Sequence, residues 1–196
     1  MPDCYTPRFD DAAAFAIAAF RGHKRKAGAV PYITHLFSVC ALVGEYGGDE
    51  DQMIAALLHD WLEDIHGATE AVLRERYGDR VTRLVVALSD SGAPEPGKLK
   101  SPWLPRKEAY LAHLRHAEPE VKLVSCADKL HNCQTIRSDH ERMGNAVFER
   151  FTGRQDGTLW YYDTVCHALG ENWDSPLLRR LRREVDALTN AARDAS

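Results

Sequence analysis

The stretch His59-Asp60-Trp61-Leu62-Glu63-Asp64 sets two potential metal ligands side by side, with two further carboxylates a few residues on. It follows the unbroken apolar run Met53-Ile54-Ala55-Ala56-Leu57-Leu58. At 3.6 residues per turn, a continuous helix places Glu63 above His59 and Asp64 above Asp60. Four ionisable groups crowded at one end of a helix repel one another unless a cation neutralises them. A solvated acidic helix end is the alternative, and it leaves the apolar run before the pair unexplained. Two more residues elsewhere have suitable chemistry. His35 follows Pro31-Tyr32 at the head of another apolar-periodic segment. Asp128 lies between Ala127 and Leu130, where a carboxylate costs free energy unless it is paired. Two imidazoles and two carboxylates suit a first-row divalent ion, with positions left for water and a phosphate oxygen.

Those residues need elements to carry them, and helical periodicity dominates with no clean alternation of strand type. Asp10-Asp11 opens an alanine-rich helix that ends near Gly22. The segment His23-Lys24-Arg25-Lys26-Ala27-Gly28 is too basic for core, and Val30-Pro31-Tyr32 is an extended lead-in. Thr34 is the expected N-cap of a helix with His35, Leu36, Val39, Leu42 and Val43 at helical spacing. Gly47-Gly48 breaks that helix, and Asp49 caps the one leading to His59. Thr69-Glu70 begins another, stopped at Gly78, and Asp79 starts the next, with Val81, Leu84, Val85 and Leu88 on one face. Ser91 to Pro105 is the longest loop, of a length that is usually functional or mobile, and its Trp103 calls for a hydrophobic socket or a ligand to stack on, the socket being preferred. Pro105 leads a helix with Tyr110, Leu111 and Leu114 inward. Pro119 stands in the first turn of a longer helix, where proline is tolerated. On it Val121, Val124, Ala127 and Leu130 suit the core, while Asp128, Asn132 and Thr135 form a second stripe at i, i+4 and i+7. Helices over about 145–151, 157–169 and 176–192 complete the chain, the last Arg-rich and amphipathic. The expected fold is all-α.

Composition narrows the function classes. A chain of 196 residues suits one domain with its own core. A formal charge of -4 argues against a nucleic-acid polymer as partner, although local basic clusters can grip a small phosphate ligand. The five cysteines are widely spaced without a CxxC pair and read as reduced thiols, several of them in the core. No apolar stretch approaches the ~20 residues of a membrane span, and no signal-peptide pattern opens the chain, so a cytoplasmic location without membrane attachment is expected.

The order His35, His59-Asp60, Asp128 resembles the signature of the HD superfamily of metal-dependent phosphohydrolases. The match narrows with Glu63-Asp64 after the His-Asp pair, Pro31-Tyr32 before His35, and Ala127-Asp128-Lys129-Leu130-His131-Asn132 further on. Together with the basic His23-x-Arg25-Lys26, these resemble the hydrolase half of Rel/SpoT-type alarmone enzymes and their small stand-alone relatives. The similarity runs from about Asp11 to Arg137 and more weakly through residues 157–162.

The resemblance implies an HD-domain helical bundle over 1–196, with core motifs in 23–137 and packing helices in 145–193. It implies one divalent ion, most readily Mn2+, held by His35, His59, Asp60 and Asp128. Glu63 and Asp64 would orient and deprotonate the attacking water. Arg25 and Lys26 would meet base and phosphate, and Asn132 and Thr135 the ribose and its adjoining phosphate. The activity implied is hydrolysis of the 3′-pyrophosphate of guanosine 3′,5′-bis(diphosphate)-type nucleotides. With no synthetase region in these residues, that is the expected half of the alarmone cycle. Two other readings stand beside it: an HD phosphomonoesterase acting on a nucleotide or dinucleotide-cofactor phosphate, and a non-enzymatic nucleotide-sensing module. The chain departs from the family pattern at Leu36, where proline is usual, and at Ile65, where threonine is usual. The loop bearing Lys98, Trp103, Arg106 and Lys107 has no counterpart in the bifunctional enzymes and could reshape the pocket.

Overall fold

A computed structural model describes residues 5–26, 28–90 and 102–195. Among them the structure is all-α, and the β pairing is a single isolated antiparallel bridge between Lys24 and Pro31. The chain divides into two compact units, Met1–Lys100 and Ser101–Ser196.

In the first unit, α1 spans Pro7–Ala19 and starts earlier than Asp10. Thr6 caps it, accepting from the Arg8 amide at 3.3 Å, and Pro7 occupies the first helical position, a stronger start signal than paired aspartates. Helix α2, Ile33–Glu45, buries His35, Leu36, Val39 and Val43 as the spacing requires. Its N-cap position is Tyr32 rather than Thr34, whose hydroxyl donates to the Pro31 carbonyl at 2.8 Å instead. Helix α3, Glu50–Leu58, opens with a capping box: Asp49 accepts from the Gln52 amide, and the Gln52 side chain accepts from the Asp49 amide. Every residue from Ile54 to Leu58 is buried, and α3 packs against α1, α2 and the later helix α5 at Glu70–Leu88. The apolar run is therefore the unit's central element. Between α3 and α5 lies the single turn α4, Trp61–Asp64. Gly78, at φ +83° and ψ 175°, is non-helical and divides α5 into two helices that meet at a kink, so the stop at Gly78 and the restart at Asp79 expected from the sequence are both present.

In the second unit, α6 spans Trp103–Arg115, α7 Pro119–Met143, α8 Arg154–Gly170 and α9 Pro176–Asp194, with a 3₁₀ segment at Gly144–Arg150. Helix α6 begins two residues before Pro105, which falls within the first turn where no intrahelical donor is needed. The expected loop is shortened accordingly, and its residues 91–101 lie outside the described ones. Trp103 has its socket: its ring packs over Gly153 and Gly157 and edge-on to Trp160 at 6.1 Å. A Cβ at Gly153 would sit 2.8 Å from that ring, so glycine is what admits the tryptophan.

Cys40, Cys126, Cys133 and Cys166 are buried and unbridged, while Cys4 lies outside the described residues. Burial pushes the Cys40 thiol up to about 11 and Cys166 up to about 12, so both are neutral thiols at physiological pH. Lys122 is 2% exposed, and its ammonium donates to the Arg115 carbonyl at 3.0 Å and to the Glu171 carbonyl, tying together the ends of α6 and α8. Burial holds its pKa down, with the Glu171 charge opposing. Lys122→Met leaves two carbonyls without that donor and is expected to cost about 2–3 kcal/mol. Urea unfolding measures it, and an unchanged midpoint would mean the carbonyls find other donors.

Candidate metal centre

The break after α3 gives the His-Asp pair its geometry. Helix α3 ends at Leu58, and Asp60, at φ −93° and ψ 0°, serves as the N-cap of α4. The stretch is therefore not one continuous helix. The i to i+4 link survives on one side only, through the Asp64 amide donating to the Asp60 carbonyl at 2.9 Å.

His59 is 4% exposed, and its Nδ1 lies 2.8 Å from the Ala56 carbonyl. A carbonyl can only accept, so Nδ1 carries a proton, and Nε2 offers a lone pair whenever the ring is neutral. That nitrogen stands 3.0 Å from Asp60 Oδ2, and His35 Nε2 stands 3.8 Å from the same oxygen. The two imidazoles meet edge to face at 5.2 Å between centroids. Two acceptors 3.0 Å apart are stable only with a cation between them or a proton on the ring, and the ligand set suits a first-row divalent ion. The residues fit a metal. The backbone carbonyl on Nδ1 is the kind of outer partner that fixes a ligating histidine.

Tyr32 completes this cluster. Its hydroxyl donates to Asp60 Oδ2 at 2.6 Å, its ring stacks on Phe20 at 5.4 Å and meets His35 edge-on at 5.6 Å. Burial, then the charge and hydrogen bond of Asp60, push its pKa far up, so it remains a donor. From the sequence, Tyr32 belongs to an extended lead-in and to the family motif before His35, with no role in the site assigned to it. The signal was an aromatic three residues before a candidate ligand. The basic turn forms around it: the Arg25 amide donates to the Val30 carbonyl and the Tyr32 amide to the His23 carbonyl, both at 2.9 Å. Arg25 is half-buried with its guanidinium 5.5 Å from the Tyr32 ring centroid, whereas Lys26 is exposed. Glu63 is half-buried and accepts from the Asp90 amide at 2.7 Å, while Asp64 is exposed.

In the second unit, α7 carries Asp128, which is 6% exposed. The Lys129 ammonium holds Asp128 Oδ2 and the Asn132 amide holds Oδ1, so residues of one helix fix both oxygens. Lys129 also lies 5.2 Å from the Tyr110 ring centroid. Burial is the largest single influence and alone would lower its pKa, but the charge and hydrogen bond of Asp128 together with the neighbouring Tyr161 and Tyr110 outweigh it and keep the ammonium. Lys129 has no role in the expected site, although a lysine beside an aspartate in an apolar helix is itself a signal that the charge is paired. Thr135 donates back to the His131 carbonyl at 2.9 Å, an ordinary helical bond.

A family model described as an HD domain matches residues 12–158. The chain is 34% identical over 153 residues to a GTP pyrophosphokinase of Streptomyces coelicolor, covering 78% of this chain and 16% of that protein. It is 34% identical over 148 residues to a guanosine-3′,5′-bis(diphosphate) 3′-pyrophosphohydrolase of Aquifex aeolicus, covering 75% of this chain and 19% of that one. The chain thus spans less than a fifth of the length of either relative. A solved structure of a metazoan SpoT ortholog that hydrolyses ppGpp superposes with a TM-score of 0.75 at 23% identity, covering 92% of this chain and 94% of that one. At that identity the likeness establishes the fold. No described helix is long and apolar enough to cross a membrane.

Proposed function

Because the chain belongs to the HD domain family, we propose that it is a metal-dependent phosphohydrolase that removes the 3′-pyrophosphate of guanosine 3′,5′-bis(diphosphate)-type nucleotides. The observation that carries the metal chemistry is the lone-pair nitrogen of His59 facing Asp60 Oδ2, with His35 beside it. The substrate rests on the names of relatives such as the Aquifex aeolicus pyrophosphohydrolase. His35, His59, Asp60 and Asp128 hold one divalent ion, and Mn2+ is the ion proposed on the family resemblance. A divalent ion in such a site acidifies water and polarises a phosphoryl oxygen.

The chain's own residues supply the rest. Glu63 and Asp64 orient the attacking water and take its proton, which a nearby carboxylate does most effectively when the water is already acidified. Arg25 offers a planar cation to the base, and Lys26 a mobile ammonium to a phosphate. Asn132, with its amide nitrogen turned to Asp128, presents its carbonyl to the ribose, and Thr135 follows one turn on. The charge on Tyr32 stays at zero, so it steadies Asp60 without competing for the metal. Unbridged thiols, and the proposed nucleotide substrate, support a cytoplasmic location.

Asn132→Ala is expected to raise KM several-fold while kcat changes less, measured by steady-state kinetics. An unchanged KM would remove Asn132 from the pocket, and loss of metal instead would limit it to holding Asp128.

The function is tested by turnover of the purified Mn2+-loaded protein on ppGpp, beside a panel of nucleotides and NADPH, with phosphate and pyrophosphate scored separately. Pyrophosphate from ppGpp is the expected result. Orthophosphate from another member, with ppGpp untouched, would move the substrate to the phosphomonoesterase class. Stoichiometric binding without turnover would make the chain a sensing module.

A further inference from the structure

We propose that the backbone amide of Asp90 positions the Glu63 carboxylate for water activation, an inference that rests on the role given to Glu63 above. The Asp90 amide donates to Glu63 Oε1 at 2.7 Å, joining residues 27 apart in sequence. Its placement follows from how α5 ends. The Ser89 amide closes on the Val86 carbonyl at 3.2 Å and the Ser89 hydroxyl on the Val85 carbonyl at 3.1 Å, which finishes the helix. The next amide, that of Asp90, points away from the helix to Glu63. Across from it, α4 is one turn long, secured by the Asp64 amide on the Asp60 carbonyl at 2.9 Å and the Ile65 amide on the Trp61 carbonyl at 3.1 Å.

A glutamate on so short an element has three side-chain torsions to fix, and fixing them costs entropy. A charge-assisted hydrogen bond from a backbone donor fixes one carboxylate oxygen and with it the orientation of the whole group. Asp90 itself touches neither ligand nor metal in this scheme. It is a positioning residue that acts through Glu63, and the donor is its main chain rather than its side chain.

That distinction makes the test. Asp90→Pro deletes the amide, and Ser89, at φ −79° and ψ 130°, already has the extended backbone that a residue before proline adopts. Asp90→Ala is the reference, since it removes the side chain and keeps the amide. Relative to Asp90→Ala, Asp90→Pro is expected to lower kcat about tenfold to a hundredfold, with KM and bound metal unchanged. In a Glu63→Gln background the two substitutions are expected to give the same kcat, because no base remains to be positioned. Equal kcat for the two in the wild-type background would overturn the proposal, and so would an undiminished difference in the Gln background. Should Asp90→Pro fail to fold by circular dichroism, the amide proton resonance of Asp90 decides. It is expected to shift upfield on Glu63→Ala, and an unmoved resonance would overturn the proposal. If the wild-type protein turns over none of the substrates, the functional reading fails, while the resonance still reports separately on the amide–carboxylate bond.

Discussion

Asp128→Ala is expected to lose bound metal and turnover together. Removing one of the four proposed ligands should weaken metal affinity by well over the 10–100-fold typical of outer partners alone, so metal retained after dialysis falls to background. Turnover falls with it and is not restored at metal concentrations that saturate the wild type. The substitution has a second consequence, because Asp128 also neutralises Lys129, whose side chain is only 15% exposed. Leaving an ammonium there without its carboxylate costs about 3–5 kcal/mol. The two effects separate in the double substitution Asp128→Ala with Lys129→Met, which removes both charges and should regain much of the lost stability. It should regain none of the metal. Metal content by elemental analysis and stability by urea unfolding give both readings on one preparation. A double variant that keeps its metal would show that Asp128 is not a ligand.

The same pair shows what a sequence can and cannot disclose. Asp128 was legible because a carboxylate in an apolar helix must be paired, and its partners prove to be Lys129 and Asn132, one and four residues on. The helical elements were legible for a related reason. The apolar run before His59 has room for nothing but core, and Asp49 with Gln52 makes a capping box that can be read directly. Where local signals compete, sequence expectation and structure part. Thr34 could cap a helix or bond its own upstream carbonyl, and it does the second. The helix break at His59-Asp60 is invisible because nothing in those residue types forbids a helix. The turn coincides with the buried imidazole of His59. The Asp90 donor was beyond reach for a different reason, since a main-chain amide leaves no mark on residue identity.

Glu63→Gln is expected to keep the metal and slow turnover severely. Glutamine matches glutamate in shape, and its amide oxygen can still accept from the Asp90 main chain, so the local structure should persist. What disappears is the ability to take a proton. Loss of a positioned general base lowers rates by about 10²–10⁴, and the fall should appear in kcat with KM little changed, because binding involves other residues. Metal content should equal that of the wild type, which sets this variant apart from Asp128→Ala. Asp64 shares the proposed role, but it is exposed at the end of its turn and is less firmly held than the half-buried Glu63. Asp64→Asn should therefore cost less than Glu63→Gln. A Glu63→Gln enzyme as active as wild type would remove Glu63 from water activation, and a larger loss in Asp64→Asn would transfer that role to the exposed member of the pair.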